Sequence, residues 1–528
     1  MRFRGCSYWV RFCVLLLLVG CNSSSHPTSL IAVAISPRAS SIGTTGVIAF
    51  LAVGSYEDGS SRNLSEVVWE SSDPSVATIN SYGTATGVAP GVSLIRAEFN
   101  GLRDSTTLTV SSRVGDHVGP LRVSAVNPRY FADPGGRMVY LTGSHYWKNV
   151  QDNGVTNPPA AFDNGAYLDF LQHHNHNFTR LWAWEQARWS DEVSYSHWFS
   201  PTLYVRTGPG TGADGGAKFD LTKLNPGYFA RLRQRVIDAG ARGIYVSVML
   251  FDGWSVEMKP GNANANPWLA HPFNQSNNIN GINGDTNSDA SGRETQTLSI
   301  PGVTALQEAY ARAVVDAVND QDNVLYEISN ESDSSSDAWQ YHMINFVKSY
   351  ETTKTKQHPI GMTVPWPGSN RDVLNSPADW ISMNGDVSNP VIADGRKVSL
   401  SDTDHLCGIC GDVPWVWKTF ARGHNPLLMD GYDNSPGVSD AAYHPDDPKW
   451  EAIRRNLGYA RSYAMRMDLA HALPRGDLAS SNYCLAVVGT EYLIFLPAGG
   501  SVSVDLSGEW NSRGGVVQSG HRTDVRRG

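Results

Sequence analysis

Two short stretches of this 528-residue chain bring carboxylates to the end of an apolar run. In N-V-L-Y-E-I-S-N-E-S, residues 323–332, the run closes on Asn330 and Glu331. In K-V-S-L-S-D-T-D-H, residues 397–405, it closes on Asp402, Asp404 and His405. One carboxylic acid can protonate a leaving oxygen while a second carboxylate attacks carbon or activates water. A facing pair therefore suits acid–base and covalent catalysis at a carbon–oxygen bond. Each group also has a plainer reading. Asn-Glu-Ser-Asp is good chemistry for a helix N-terminus, so Glu331 could be a cap. Asp402 and Asp404 could close an Asp turn, and in an extended chain of period two they point the same way. Asp430, after a later apolar run, is the second choice of nucleophile.

The elements that would position these groups come from the alternation of apolar runs with helical stretches. Runs at 139–142, 178–182, 244–250, 324–328, 360–364, 380–383, 398–400 and 426–429 read as strands. Helical stretches fall at 166–173, 228–239, 303–318, 339–352, 413–421 and 448–471. Such βα units build a parallel sheet. No G-x-G-x-x-G follows the first run, as an open dinucleotide-binding sheet would need, so the expectation is a (β/α)8 TIM barrel. A barrel carries its chemistry just beyond the C-terminal strand ends. Those positions hold His145, Trp147 and Asn149, then Trp184 and Glu185, then Asp252 and Trp254. After the fourth run come Asn330 and Glu331, then Trp366, then Asn384 and Asp386. The last two runs give Asp402, Asp404 and His405, and finally Asp430, Tyr432 and Asp433. No G-x-S-x-G elbow, P-loop or H-E-x-x-H helix occurs. Carboxylates, amides and indoles together suit a substrate rich in hydroxyls with flat apolar faces. Glu327 reads as structural, Arg180 as a buried partner for a carboxylate, and His173, His174 and His176 as a surface cluster on the opposite barrel face.

Residues 323–332 resemble the fourth strand of clan A glycoside hydrolases, which ends on an Asn-Glu pair whose Glu is the acid/base. The resemblance implies that Asn330 meets the sugar's 2-hydroxyl and that Glu331 protonates the leaving oxygen. N-F-T-R-L-W, residues 177–182, resembles the clan's second strand and implies that Arg180 supports the nucleophile. Within the clan, residues 397–405 followed by W-V-W-K-T-F-A-R-G-H-N-P-L-L-M-D-G-Y, residues 415–432, look nearest to the apiosidase-like glycosidases. Their seventh strand carries the nucleophile. The clan places Glu there, whereas this chain has Asp402 and Asp404, and the register from Lys397 favours Asp402. The implied activity is an exported glycoside hydrolase acting on a poly- or oligosaccharide by double displacement. Arg180, His145, His405 and Asn330 would position the reacting groups, with Trp147, Trp184, Trp254 and Trp366 as sugar platforms. No organic cofactor is implied. Asp is one methylene shorter than Glu, so inversion stays open: a retaining pair stands about 5–5.5 Å apart and an inverting pair about 6.5–9.5 Å. The alternative is a glycan-binding or adhesion protein whose barrel has lost its chemistry.

Composition sets the surroundings. The chain has 42 Lys and Arg against 51 Asp and Glu, a net charge of −9, and no basic stripe, which counts against nucleic acid as a partner. Hydrophobic residues at 41% and charged residues at 18% give enough apolar material for large cores. Residues 1–21 read as an export signal: Arg2, Arg4 and Arg11, then an apolar run too short to span a bilayer. Leu18-Val19-Gly20-Cys21 resembles the lipobox of bacterial lipoproteins, implying a lipid anchor at Cys21, a tether over 22–28 and a place in the cell envelope, facing periplasm or exterior. Residues 29–112 read as a β-sandwich. W-E-S-S-D-P-S-V-A-T-I and G-T-A-T-G-V-A-P-G, residues 69–79 and 83–91, resemble bacterial Ig-like group 2 domains, as a spacer or adhesion module. The barrel is expected over 120–475, a partial C-terminal β-sandwich over 476–507 and a mobile tail over 508–528, an ending that reads as truncated. The chain is expected to be a monomer. Cys407-Gly-Ile-Cys410 lacks a second pair to complete a zinc site, leaving a local disulfide or two unrelated small residues. Asp285, Asn287 and Asp289 alternate as calcium ligands do. Ala290 stands where an EF-hand needs Gly and Gln296 where it needs Glu, so the favoured reading is a solvated loop over the cleft, with no metal.

Overall fold

The computed structural model describes residues 29–506 apart from 37, 39, 44–46, 59, 65, 82, 112–118, 191–195, 260–265 and 434–444. The expected export signal, Cys21 anchor, tether and tail lie outside the described residues. Among those described, no helix is long and apolar enough to cross a membrane. An Ig-like β-sandwich comes first. Its longest strands, Gly91–Phe99 and Leu102–Ser111, pair in register from Phe99↔Leu102 to Gly91↔Val110. Asn100 and Gly101 both take positive φ at the hairpin between them, as a tight Asn-Gly turn requires. Alternation puts Ile95, Ala97, Leu108 and Val110 into the core and leaves Val92 and Leu94 outside.

Eight parallel strands then close into a barrel. They are β1 (Gly143–His145), β2 (Phe178–Leu181), β3 (Tyr245–Asp252), β4 (Val324–Asn330), β5 (Ile360–Thr363), β6 (Trp380–Ser382), β7 (Val398–Asp402) and β8 (Asn425–Met429). Helices α1 (Asn164–His173), α2 (Pro226–Gly240), α3 (Pro301–Val318), α4 (Asp337–Glu351), α5 (Asn370–Asn375), α6 (Val413–Ala421) and α7 (Pro448–Ala464) surround it. Side-chain caps at Asp163, Asn225, Asp412 and Asp447 start α1, α2, α6 and α7, three of them with Pro in the first turn. The outward residues of β4, Val324, Tyr326 and Ile328, share one core with Val314 and Val315 of α3 and Met343 and Val347 of α4.

The inward faces grade from apolar to charged along the strands. At the bottom, Phe178, Tyr245, Leu325, Trp380 and Val398 pack with Leu121, Phe131, Val139 and Leu141. Those last four come from the preceding segment, whose small sheet (Arg122–Val123, Phe131–Ala132, Met138–Val139) plugs the barrel. The expected first strand at 139–142 is therefore displaced. Its apolar run signals burial against the barrel floor, and pairing begins only at Gly143, where a Cβ would sit 2.1 Å from the Phe178 carbonyl oxygen. Two residues further along β2, β3 and β4 the same faces carry Arg180, Ser247 and Glu327, and β7 ends on Asp402.

The other departures follow from local chemistry. The β6–β7 connection, described throughout, has no helix, and α5 was not foreseen. The β2–β3 connection holds two unforeseen pieces: strands Arg188–Ser190 and Ser196–Ser200, joined to Asp152–Gly154, and a hairpin of Tyr204–Thr211 with Ala217–Leu224. The last helix ends at Ala464, short of 471. His174 and His176 are buried rather than surface groups. They reach Glu451 and the Arg454 carbonyl of α7, at 3.0 Å each, and only His173 is exposed. The C-terminal strands Leu473–Pro474, Cys484–Val487 and Glu491–Ile494 pack on the barrel, with Leu485 among Trp415, Phe420 and Trp450.

Candidate functional site

Arg180 stands at the centre of the barrel mouth, fully buried. Its Nε and Nη2 donate to Glu327, at 3.0 and 2.5 Å. Nη1 donates to Asp402 at 3.1 Å and to Asp404 at 2.9 Å, and Nη2 also reaches Asn330 Oδ1 at 2.8 Å. One guanidinium thus faces three carboxylates and an amide. A buried charge is costly unless paired and hydrogen-bonded. Here burial works against the guanidinium's charge, and Glu327, Asp402 and Asp404 hold it charged. Glu327, read from sequence as structural, is the bidentate base of this network.

Asp402 and Asp404 meet that network differently. Asp402 is 1% exposed and accepts from His145 Nε2 at 3.0 Å, from Arg180 and from the backbone N–H of Asp404 at 3.0 Å. Burial opposes its charge, yet His145 and Arg180 hold its carboxyl well below the usual carboxylate range. Asp404 sits one step further out, in the 3-10 turn Thr403–His405, with its side chain 7% exposed against 1% for Asp402. The backbone N–H groups of Leu406, Cys407 and Gly408 all converge on the Thr403 carbonyl, at 2.8–3.0 Å, and a Cys407–Cys410 disulfide closes the loop beyond. His405 is buried; burial keeps its ring less basic than usual against the pull of Asp404 and Asp402. Its Nε2 donates to Asn330 Oδ1 at 2.9 Å and its Nδ1 faces the Ser382 hydroxyl at 2.7 Å. Asn330 Oδ1 therefore takes two donors, which orients the amide and sends Nδ2 toward Asp252, 3.4 Å away.

Glu331 follows the last residue of β4 with φ at 42°, a left-handed conformation that costs free energy for a residue with a Cβ. It caps no helix: Asp333 caps the 3-10 turn after it. Its Oε2 accepts a hydrogen bond from the Trp254 indole N–H. Burial foremost, then the charge of Asp404, push the Glu331 carboxyl up to about 8, against Trp254, Lys259 and Arg180. Trp254 and Trp366, both partly exposed, lie parallel beside it, with ring centroids 6.2 Å apart and planes 9° apart. The mouth thus holds a carboxyl pushed up to about 8 and, near enough for its charge to act on that carboxyl, an aspartate bonded to arginine. Environments that push two acids apart in this way divide the roles of proton donor and anion.

Several expected rim residues lie elsewhere. Asn149 is fully buried and spends its amide on the Arg180 carbonyl and the Trp182 N–H. Trp184 is 4% exposed within an aromatic cluster, its indole donating to the Trp147 carbonyl, so it offers no open face. Glu185 is buried beside His271 and beneath the Asp252 backbone. Asp252 is fully buried, and burial with the Glu185 charge pushes its carboxyl well above the usual range. Asp430 is locked in a two-pronged pair with Arg454, at 2.7 and 2.8 Å, which removes it as a nucleophile. Tyr432 packs among Tyr146, Phe162, Tyr167 and Phe170. Asn384 and Asp386 shape the sixth loop, through the Asn370 amide and the Ser388 hydroxyl. Trp147 is half-buried, against the same aromatic cluster as Trp254.

Sequence reasoning missed four contributors. Trp182 stacks on His145 at 5.5 Å and lies under the Arg180 guanidinium at 4.8 Å. Trp189 meets Trp254 edge-on at 6.2 Å. Lys259 and Glu257 form a buried ion pair behind Glu331. The alternation of Glu257 and Lys259 just after Trp254 was the one available signal, and nothing in it says where the loop folds back.

Among the described residues, two clusters bring metal-ligand atoms within 4.8 Å of one another: His145, Asp402 and Asp404, and Asp285, Asp289 and Glu294. In the first, a guanidinium already sits between the carboxylates, so the residues do not fit a cation. In the second, Asp285, Asp289 and Glu294 accept the loop's own backbone N–H groups, and Asn287 turns its amide to donate to Asp289 at 3.1 Å. Glu294 Oε2 is buried there without a hydrogen-bond partner, whereas Asn287, one of the three residues of the expected calcium site, turns its donor to the cluster.

Comparison with known proteins places two parts of the chain. Residues 34–110 match the family model described as Bacterial Ig-like domain (group 2). An alignment 33% identical over 128 residues joins the chain to Ice-binding protein 1 of Shewanella frigidimarina, covering 21% of this chain and 14% of that protein. Among solved structures, a glycoside hydrolase family 5 from Bacteroides vulgatus is 11% identical with a TM-score of 0.41, over 70% of this chain and 77% of that one. A glycoside hydrolase family 5 mannosidase from Rhizomucor miehei is 11% identical with a TM-score of 0.42, over 67% of this chain and all of that one. Residues 184–373, a span that contains Glu331 and Lys259 but not Arg180 or Asp404, match the family model described as Domain of unknown function (DUF6298).

Proposed function

We propose that the barrel hydrolyses a glycosidic bond in a poly- or oligosaccharide, with Glu331 as the acid and then the base and Asp404 as the nucleophile. The observation that carries this is the pairing at one barrel mouth of a carboxyl pushed up to about 8 with an arginine-held aspartate whose charge acts on it more strongly than any other. A protonated Glu331 supplies the proton that a leaving sugar oxygen needs. Asp404, less enclosed than Asp402, offers its second oxygen to the anomeric carbon while Arg180 holds the first. Asp402 then acts through Arg180 and the turn, as a positioning residue, with His145. Trp254 and Trp366 give an apolar face to the sugar beside the acid. The resemblance of residues 323–332 to the clan A fourth strand supports the same assignment.

The test is reducing-sugar release from a broad panel of polysaccharides and aryl glycosides by wild type, Glu331→Gln and Asp404→Asn, with the anomer of the first product read by NMR. Hydrolysis by wild type alone is expected. Retention marks Asp404 as nucleophile; inversion makes it the base that activates water. Binding to glycans by all three proteins without hydrolysis would replace this reading with the adhesion one.

A further inference from the structure

Lys259 is 3% exposed, deep in the loop after β3, and the structure gives its ammonium three acceptors. Nζ donates to Glu257 Oε1 at 2.5 Å, to the Glu331 carbonyl at 2.9 Å and to the Trp366 carbonyl at 3.3 Å. An ammonium has three N–H donors, so all are used. Glu257 is itself buried and its other oxygen accepts from Arg293. A buried lysine is costly to keep, and a loop tie between β3, β4 and β5 could be made by neutral groups. What a neutral tie lacks is a charge, and this charge is hydrogen-bonded to the backbone of Glu331, the residue in the left-handed conformation. Gly253 closes the other side of that carbonyl, where a Cβ would come within 2.2 Å of its oxygen. The strained turn is thus gripped from two sides, as a sparsely populated conformation must be if it is to persist.

We propose that Lys259 is a positioning residue for Glu331, fixing the strained turn that aims its carboxyl and setting, through its charge, the pH at which the carboxyl gives up its proton. Glu257 opposes it, so the pair works as a balance. The described groups that face Glu331 are Asp404 from the seventh loop, Arg180 from β2, Lys259 and the Trp254 indole from the third loop. Around Lys259 stand Glu257, Arg293 and Asp333. Removing the lysine leaves Asp404 less opposed and makes Glu331 hold its proton to higher pH. Removing the Glu257 charge strengthens the lysine's pull and moves the titration down.

This rests on Glu331 being the acid, but its test does not need activity. Full-length protein carrying 5-fluorotryptophan reports the Glu331 titration through the Trp254 indole, whose 19F signal is assigned by its loss in Trp254→Phe. Wild type, Lys259→Met, Lys259→Arg and Glu257→Gln are titrated, with thermal melts as a folding control. The expected result is a shift of about one pH unit upward in Lys259→Met, a downward shift in Glu257→Gln and a near-wild-type midpoint in Lys259→Arg. On a hydrolysed substrate the alkaline limb of kcat/KM moves the same way. A structural tie alone moves both neutralised variants in one direction or neither, and either outcome overturns the proposal. Opposite shifts in a protein that hydrolyses nothing would keep the balance and discard the glycosidase reading.

Discussion

The ends of β4 and β7 hold their carboxylates in opposite ways. At the β4 end, Glu331 is surrounded by indole rings and receives one N–H, so burial dominates and its proton is retained up to about 8. At the β7 end, Asp402 is at least as deeply buried, yet imidazole and guanidinium donors outweigh burial and keep it ionised. Depth alone therefore does not decide the state of an acid. The donors within hydrogen-bond reach do, and it is the difference between these two surroundings that would let one mouth offer a proton at the β4 end while the β7 end holds an anion beside Asp404.

The sharpest break in that comparison is Asp404→Asn. It keeps shape and hydrogen bonding while removing the reacting charge, and kcat/KM is expected to fall by about 10⁴-fold or more. Asp402→Asn is expected to lose less activity and more stability, since its oxygens are already occupied by His145, Arg180 and the Asp404 N–H. Equal activity losses in the two variants, with unchanged melting, would return the nucleophile's role to an open choice.

Next in size is Arg180→Met. It strips the shared cation from Glu327, Asp402 and Asp404, leaving buried carboxylates unpaired, and should cost about 3–5 kcal/mol in chemical denaturation. The sign with pH follows from Asp402. Its depressed carboxyl contributes stability above the ordinary aspartate value, and that contribution is lost as pH falls through the folded value. The deficit of Arg180→Met relative to wild type should therefore shrink in acid.

How much of this was legible beforehand depended on whether the signal was local. Glu331 and Arg180 could be read because each is a charged residue in or at the end of an apolar strand, where a barrel leaves few directions to point. The first strand was misplaced because Val139 and Leu141 are apolar for the sake of the barrel floor, and burial and strand pairing look alike in one dimension. Asn149, Trp184 and Asp430 follow strand ends as the reacting groups do. Whether such a residue turns into the mouth or back onto Arg180's carbonyl, an aromatic cluster or Arg454 depends on partners far away in the chain. Lys259 was invisible for the same reason, since its three acceptors come from three different loops.

At the β4 end, the raised carboxyl has a stability signature of its own. A group whose proton is held more tightly in the folded state contributes stability at low pH and loses it as pH rises from the ordinary glutamate value through about 8. Glu331→Gln removes that slope. It should match wild type near about pH 4 and melt higher than wild type above about pH 8. A difference independent of pH would mean that the carboxyl is not held in its neutral form.

The smallest expected effect is Trp254→Phe, which touches only the single donor at Glu331. The indole N–H stabilises the ionised carboxylate, so its loss should move the titration further upward, by about one pH unit. In a kcat/KM profile the alkaline limb moves up accordingly, because that limb follows the acid of the free enzyme. The phenyl ring keeps part of the stack on Trp366 but presents less area to a sugar, so KM should rise while kcat at neutral pH changes little. A limb that stays in place would assign the raised carboxyl to burial and Asp404 alone. A limb that moves down would mean the indole bonds the protonated acid, reversing the contrast between the two strand ends at its most local point.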